Sequence, residues 1–195
     1  GLNRYNKSTG LFQNHTANDI QSDGLTHSSI WCIVKDNQGT LWLGTYFGGV
    51  NYFNPEYEIY TRYSYSSNEK QGLSNPVVGR TIEDKNGNLW IGTEGGGLNY
   101  FNRRTREFKW YRPQEGRNSI SHNNVKALYY DADKEIIWIG THLGGMNRLD
   151  IRSGHFTHYR MEDNNQQTLP SDIVRDIIPY KDLLIVATQN GVCLF

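Results

Sequence analysis

Apolar and polar residues alternate along the chain in short β-patterned runs, four to a period, separated by turn-forming residues. The clearest set spans residues 77–111. Val77–Glu83 predicts a first strand, a, and Asp84-Lys85-Asn86-Gly87-Asn88 a tight turn whose Asp bonds the backbone ahead while its Gly takes positive φ. Leu89–Thr93 predicts strand b. Gly95, Gly96 and Gly97 then turn the chain into strand c, Leu98–Asn102, and strand d follows at Glu107–Tyr111.

The set repeats. Leu41-Trp42-Leu43-Gly44-Thr45 returns as Leu89-Trp90-Ile91-Gly92-Thr93, as Ile137-Trp138-Ile139-Gly140-Thr141 and, in worn form, as Leu184-Ile185-Val186-Ala187-Thr188. Trp42, Trp90 and Trp138 stand 48 residues apart, as do Gly1, Gly49, Gly97 and Gly145, with Gly191 a further 46 on. His15, Tyr63, Tyr111 and Tyr159 keep the same step of 48. A four-stranded antiparallel unit of this length buries neither face alone and must stack radially, which fits a β-propeller blade better than a solenoid coil. Trp42, Trp90 and Trp138 are then wedge residues between blades, and Gly49, Gly97 and Gly145 structural turn residues.

The fold expected is all-β, a propeller of four-stranded antiparallel blades of about 48 residues. In this phase residues 1–15 are strands c and d of a cut blade. Whole blades cover 25–63, 73–111 and 120–159, and 169–195 supply strands a, b and c of another cut blade. Propellers typically close with about 4 to 8 blades, so the chain reads as a fragment of about four blades of a larger ring. The competing arrangement, a self-contained ring of four, leaves one strand too many.

Composition supports strands and narrows function. The chain is 36% hydrophobic and 13% aromatic with 20 glycines, a mixture that favours β-structure with tight turns. Basic and acidic residues balance at 20 each, so nothing draws the segment to nucleic acid or anionic lipid. Its longest aliphatic run, Leu183–Ala187, is far short of the roughly 20 residues that span a bilayer. Cys32 and Cys193 form no CxxC motif and neither require nor exclude an oxidising compartment. The six histidines lack zinc spacing. Asp84-x-Asn86-x-Asn88 has Gly95 where a calcium loop needs its last carboxylate, so a hairpin is the better reading and no metal or cofactor is expected.

These residues carry a resemblance. An Asp-x-x-Gly turn, Leu-Trp-Ile-Gly-Thr, Gly-Gly-Leu-Asn and an aromatic strand, clearest from Leu73 to Asn102, resemble the two-component regulator propeller repeat. The copy from Leu169 departs from it: Ile185 replaces Trp, Ala187 replaces Gly, and Tyr180-Lys181-Asp182 replaces the Asp-x-x-Gly turn, so that blade is expected to pack differently. The resemblance implies the periplasmic sensor region of a hybrid two-component system of a polysaccharide-degrading bacterium, with a seven-bladed propeller, an inner-membrane anchor and a histidine kinase elsewhere in the parent protein. It implies recognition of a glycan or oligosaccharide. A bacterial origin removes any meaning from the glycosylation sequons at Asn6 and Asn14.

Ligands of propellers usually sit on the face made by the b–c turns and d–a loops. At equivalent turn positions the chain carries Tyr46-Phe47, Glu94-Gly95, His142-Leu143 and Gln189-Asn190. Sugars suit aromatic platforms with a few directional polar groups. Tyr46, Phe47 and Trp31 are the candidate rings, and Glu94, His142, Gln189, Lys126 and Arg175 the candidate polar contacts. Trp31, whose equivalents are Gly79, Lys126 and Arg175, either lines the central channel or fills the gap opposite Gly79. The d–a loops from Thr16, Ser64, Arg112 and Arg160 read as solvated connections.

No catalytic residue is expected. A lyase or glycosidase built on such a propeller would need a converging acid/base pair, and the one turn-tip pair is Glu94 with His142. A third reading, a scaffolding or dimerising propeller, follows from the open blade edges at both ends, which invite self-association or the remaining blades of the parent.

Overall fold

The structure, a computed structural model, describes residues 1–17, 24–54 and 59–195. Most of the expected connection from Thr16 to Gly24 lies outside the described residues. Among these residues 17 strands form five antiparallel sheets, and the one helical element is a 3-10 turn at Glu69–Gln71. β1 (Leu2–Tyr5) and β2 (Phe12–His15) make the first sheet. β3 (Ile30–Lys35), β4 (Leu41–Thr45), β5 (Val50–Asn54) and β6 (Ile59–Tyr63) make the second. The third holds β7 (Val78–Glu83), β8 (Leu89–Thr93), β9 (Leu98–Asn102) and β10 (Glu107–Tyr111). The fourth holds β11 (Val125–Asp131), β12 (Ile136–Thr141), β13 (Met146–Asp150) and β14 (Phe156–Tyr159). β15 (Val174–Tyr180), β16 (Leu183–Thr188) and β17 (Gly191–Leu194) complete the set. Each sheet is a blade, and β3, β7, β11 and β15 pack in succession as its innermost strands.

The repeated residues explain the repeated shape. Asp84 Oδ1 accepts hydrogen bonds from the amides of Asn86 at 2.9 Å and Asn88 at 3.0 Å, while Gly87 takes φ +77°, closing the β7–β8 hairpin. Its Oδ2 accepts from Trp90 Nε1 at 3.2 Å, so the turn also orients the wedge ring, as Asp36 does for Trp42 at 2.8 Å. Trp90 packs on Leu128, Ile137, Ile139 and Phe156 of the next blade, and Trp42 on Leu89, Ile91, Phe101 and Phe108. Trp138, half-buried, lies on Val174, Ile177, Leu184 and Val186. A buried side chain of this size contributes about 3–5 kcal/mol.

Close blade packing needs a glycine after the wedge. A Cβ on Gly92 would stand 2.6 Å from Val125 Cγ1 of the following blade. The Asn of Gly-Leu-Asn fastens the entry to its own blade: Asn99 accepts from the Ser74 amide and donates to Ser74 Oγ, both at 2.8 Å. Asn51 with Thr26 and Asn147 with Ser121 repeat the clamp.

The last blade lacks several of these devices. Cys193 stands where the clamp Asn would be, and Pro170, with no amide hydrogen or hydroxyl, where Thr26, Ser74 and Ser121 stand in the other blades. Ile178, Tyr180, Leu183, Val192 and Leu194 of this blade are exposed, on the side that carries Trp42 and Trp90 in earlier blades. Among the described residues β17 pairs only with β16, and β1 only with β2.

One face of the disc is knitted by charge. Arg103 Nη2 lies 2.8 Å from Asp36 Oδ2 and its Nη1 3.2 Å from Glu83 Oε1, with the guanidinium 5.2 Å above the Trp42 ring. Lys85 reaches Glu135 of the next blade at 2.6 Å, and Arg152 shares that carboxylate, whose pKa is lowered by the two cationic donors. These hairpins leave the b–c turns on the opposite face.

Candidate functional site

The site is built on an irregularity shared by the innermost strands. Pairing between strands a and b slips between Ile30 and Cys32, Val78 and Thr81, Val125 and Ala127, and Val174 and Asp176. Trp31, Gly79, Lys126 and Arg175 occupy these bulges, so the four positions equated in the sequence share one structural place. Bulges commonly aim a side chain away from the regular pleat.

Trp31 stacks on Tyr46, with centroids 5.0 Å apart and planes at 18°, and Tyr46 meets Phe47 edge-on at 4.4 Å. Trp31 and Phe47 are exposed. Beside this shelf is a cavity of about 250 Å³ lined by Trp31, Cys32, Gly79, Arg80, Glu94, Val125 and Lys126. Trp31 therefore lines an open space across from Gly79. Lys126 Nζ donates to Glu94 Oε1 across the blade boundary. Arg80 Nη2 reaches Asp176 Oδ1 at 3.1 Å, joining inner strands two blades apart.

The turn tips hold unusual backbone. Phe47 and Leu143 adopt φ +66° and +78° where the middle turn has Gly95 at +107°. A bulky side chain in that region costs on the order of 1 kcal/mol or more.

Other expected residues lie apart from the cavity. His142 sits near His122, and its Nδ1 is buried with no hydrogen-bond partner among the described residues. Burial lowers the His122 pKa, with His142 and Arg160 adding to the effect. Glu94 is thus engaged by Lys126, and nothing in the hydrogen bonding links it to His142 as an acid/base pair. Gln189 is anchored through its amide to the Ile173 carbonyl at 2.9 Å, and Arg175 is exposed on the last blade.

Arg80, Asp176 and His122 were not singled out as site residues by sequence. Arg80 and Asp176 did carry a signal: they are opposite charges at the repeat position filled by Cys32 and Ala127 in the other blades. No group of three or more His, Cys, Asp or Glu side chains suited to a metal occurs among the described residues.

Fold and site together define a run of propeller blades with an open, aromatic channel mouth. Residues 24–47, 72–95 and 119–142 match the family model described as two component regulator propeller, one match in each of the three complete blades. No curated protein matches the chain. The extracellular domain of BT4673 from B. thetaiotaomicron, described as a one-component system in one crystal structure and a hybrid two-component system in another, superposes with TM-scores of 0.78 and 0.77 at 22% identity. The match covers 100% of this chain and 24% of that one. The extracellular domain of the hybrid two-component system BT3049 from the same organism gives 0.53 at 22% identity, covering 98% and 30%. PorZ, a surface component of the type-IX secretion system of Porphyromonas gingivalis, gives 0.69 at 20% identity, covering 95% and 28%. The chain spans about a quarter of the length of the BT4673 domain.

Proposed function

We propose that the chain is part of a non-catalytic, extracytoplasmic recognition propeller of a two-component signalling protein, and that its channel mouth takes a saccharide. The carrying observation is the Trp31–Tyr46–Phe47 shelf beside the Glu94–Lys126 pair. Exposed rings stack on the C–H faces of a sugar, and the charged pair offers donors and acceptors to its hydroxyls. Kinase activity belongs to other parts of the parent protein, and the parent's periplasmic face is where such a segment would work. No helix of the described residues is long and apolar enough to cross a membrane. Gln189, His142 and Arg175 are assigned to the rim of the same face, as contacts for a longer ligand.

The test is a thermal-shift screen against host and plant oligosaccharides. A ligand at 100 times its dissociation constant adds about 2.7 kcal/mol of stability. Tyr46→Ala should abolish the shift, while His142→Ala should reduce it only for longer saccharides. Absence of any shift, with folding intact, removes the assignment.

A second reading concerns assembly. The bare side of the last blade, with Val192 and Leu194 66% and 63% exposed, matches the side that every earlier wedge Trp presses on a neighbour. We assign it as the seat of another blade, from the parent propeller or a second copy. Sedimentation should show association that Val192→Lys abolishes; a monomer at all concentrations would exclude the second copy.

A further inference from the structure

Resting on the saccharide reading, we propose that the preferred ligand is an acidic sugar, its carboxylate held by Arg80 and its ring laid on Trp31. Two cations and one carboxylate line the cavity. Lys126 is bonded to Glu94 within the lining, so that pair presents little net charge to a ligand. Arg80 has its counter-ion, Asp176, on the inner strand two blades away and outside the lining. Arg80 is therefore the one cation of the lining whose counter-ion comes from outside it.

The Arg80–Asp176 pair is suited to exchange. Both side chains are 46% exposed, and half-solvated pairs of this kind are weak. A ligand carboxylate that binds the planar guanidinium through two parallel hydrogen bonds replaces a single hydrogen bond to Asp176 with a matched pair. Gly79 supplies the room, since the other bulges bear Trp31, Lys126 and Arg175 and only here does no side chain enter. Arg80, next in the chain, is thereby left uncovered beside the stacking face of Trp31. A terminal uronic ring fits this arrangement: its C–H face meets the indole and its carboxylate the guanidinium.

The deciding measurement is calorimetric titration of the chain with oligomers of galacturonate, glucuronate and mannuronate, each against its carboxyl-reduced, neutral counterpart. One acidic series should bind at least about tenfold tighter than its reduced form. Arg80→Gln should remove that difference, while Asp176→Asn, which frees the guanidinium, should tighten the acidic form a few-fold. Trp31→Ala should weaken both forms. Equal binding of acidic and reduced forms, or an acidic preference that survives Arg80→Gln, overturns the proposal and leaves the saccharide reading standing. A sulfated neutral oligomer that binds equally well, with the same dependence on Arg80, overturns the carboxylate geometry. Binding of no form to chain with native circular dichroism overturns both readings. Should Arg80→Gln fail to fold, a lack of tightening in Asp176→Asn overturns the proposal by itself.

Discussion

The blade β7–β10 and the last blade, β15–β17, began from one repeat and now stand on opposite footings. In the former, Asp84 closes the turn and holds Trp90, Gly92 admits the next blade, and Asn99 clamps Ser74. In the latter, Ile185, Ala187 and Cys193 replace Trp, Gly and Asn, and Lys181 turns the hairpin at φ +54°. Both nevertheless bury the front of the sheet: Ile177, Leu184 and Val186 are as enclosed beneath Trp138 as Leu128, Ile137 and Ile139 are beneath Trp90. The repeat's polar and glycine devices therefore serve two jobs, precise turns and a close fit to the following blade, that a blade can lose while keeping its hold on the preceding one.

The strongest way to break this comparison is at the wedge. Trp90→Ala should lower the unfolding free energy by about 3–5 kcal/mol in urea denaturation, and Ile185→Ala by about 1–2 because the latter side chain is half-buried. Equal losses would mean that the last blade's outer side is covered in solution. Next comes the turn: Asp84→Ala removes the acceptor of two amides and of the Trp90 ring, and should cost about 2 kcal/mol, read by tryptophan fluorescence on heating. Asp182→Ala, in the corresponding hairpin, should change stability by less than about 0.5 kcal/mol. Lys181→Gly works the other way and should raise stability by about 0.5–1 kcal/mol, because the left-handed backbone is free of strain only for glycine.

The finest effect is in pH. His122 stands where the last blade has Ser171, each accepting from the amide two residues on, and burial keeps its pKa below the ordinary 6.5. The unfolded chain then takes up a proton that the folded chain refuses, so stability present above about pH 6.5 is lost as pH falls through the folded value. His122→Gln should flatten the stability profile in that range. An unchanged slope would place the titration elsewhere.

The fold was legible because a wedge Trp, a turn Asp and a turn Gly returned every 48 residues, and each has a steric reason to sit where it does. The shelf of Trp31, Tyr46 and Phe47 was legible as departures from the repeat, since a residue that breaks a structural rule without harming the core invites another explanation. Arg80 with Asp176 escaped notice because their bond joins residues 96 apart, and only the curvature of the stacked blades brings them together. The partner of Glu94 was likewise hidden: pairing with Lys126 depends on the bulge that turns Lys126 out of the ladder, and on the neighbouring blade that brings Glu94 to it.

The bulge on each inner strand has an evolutionary reading. Because its residue belongs to no ladder pair, the sheet is indifferent to whether tryptophan, glycine, lysine or arginine occupies it. Every blade thus offers one slot at the channel mouth that selection can rewrite in a single substitution. The four blades of this chain accordingly differ there in size and charge while keeping the same strand pairing on either side.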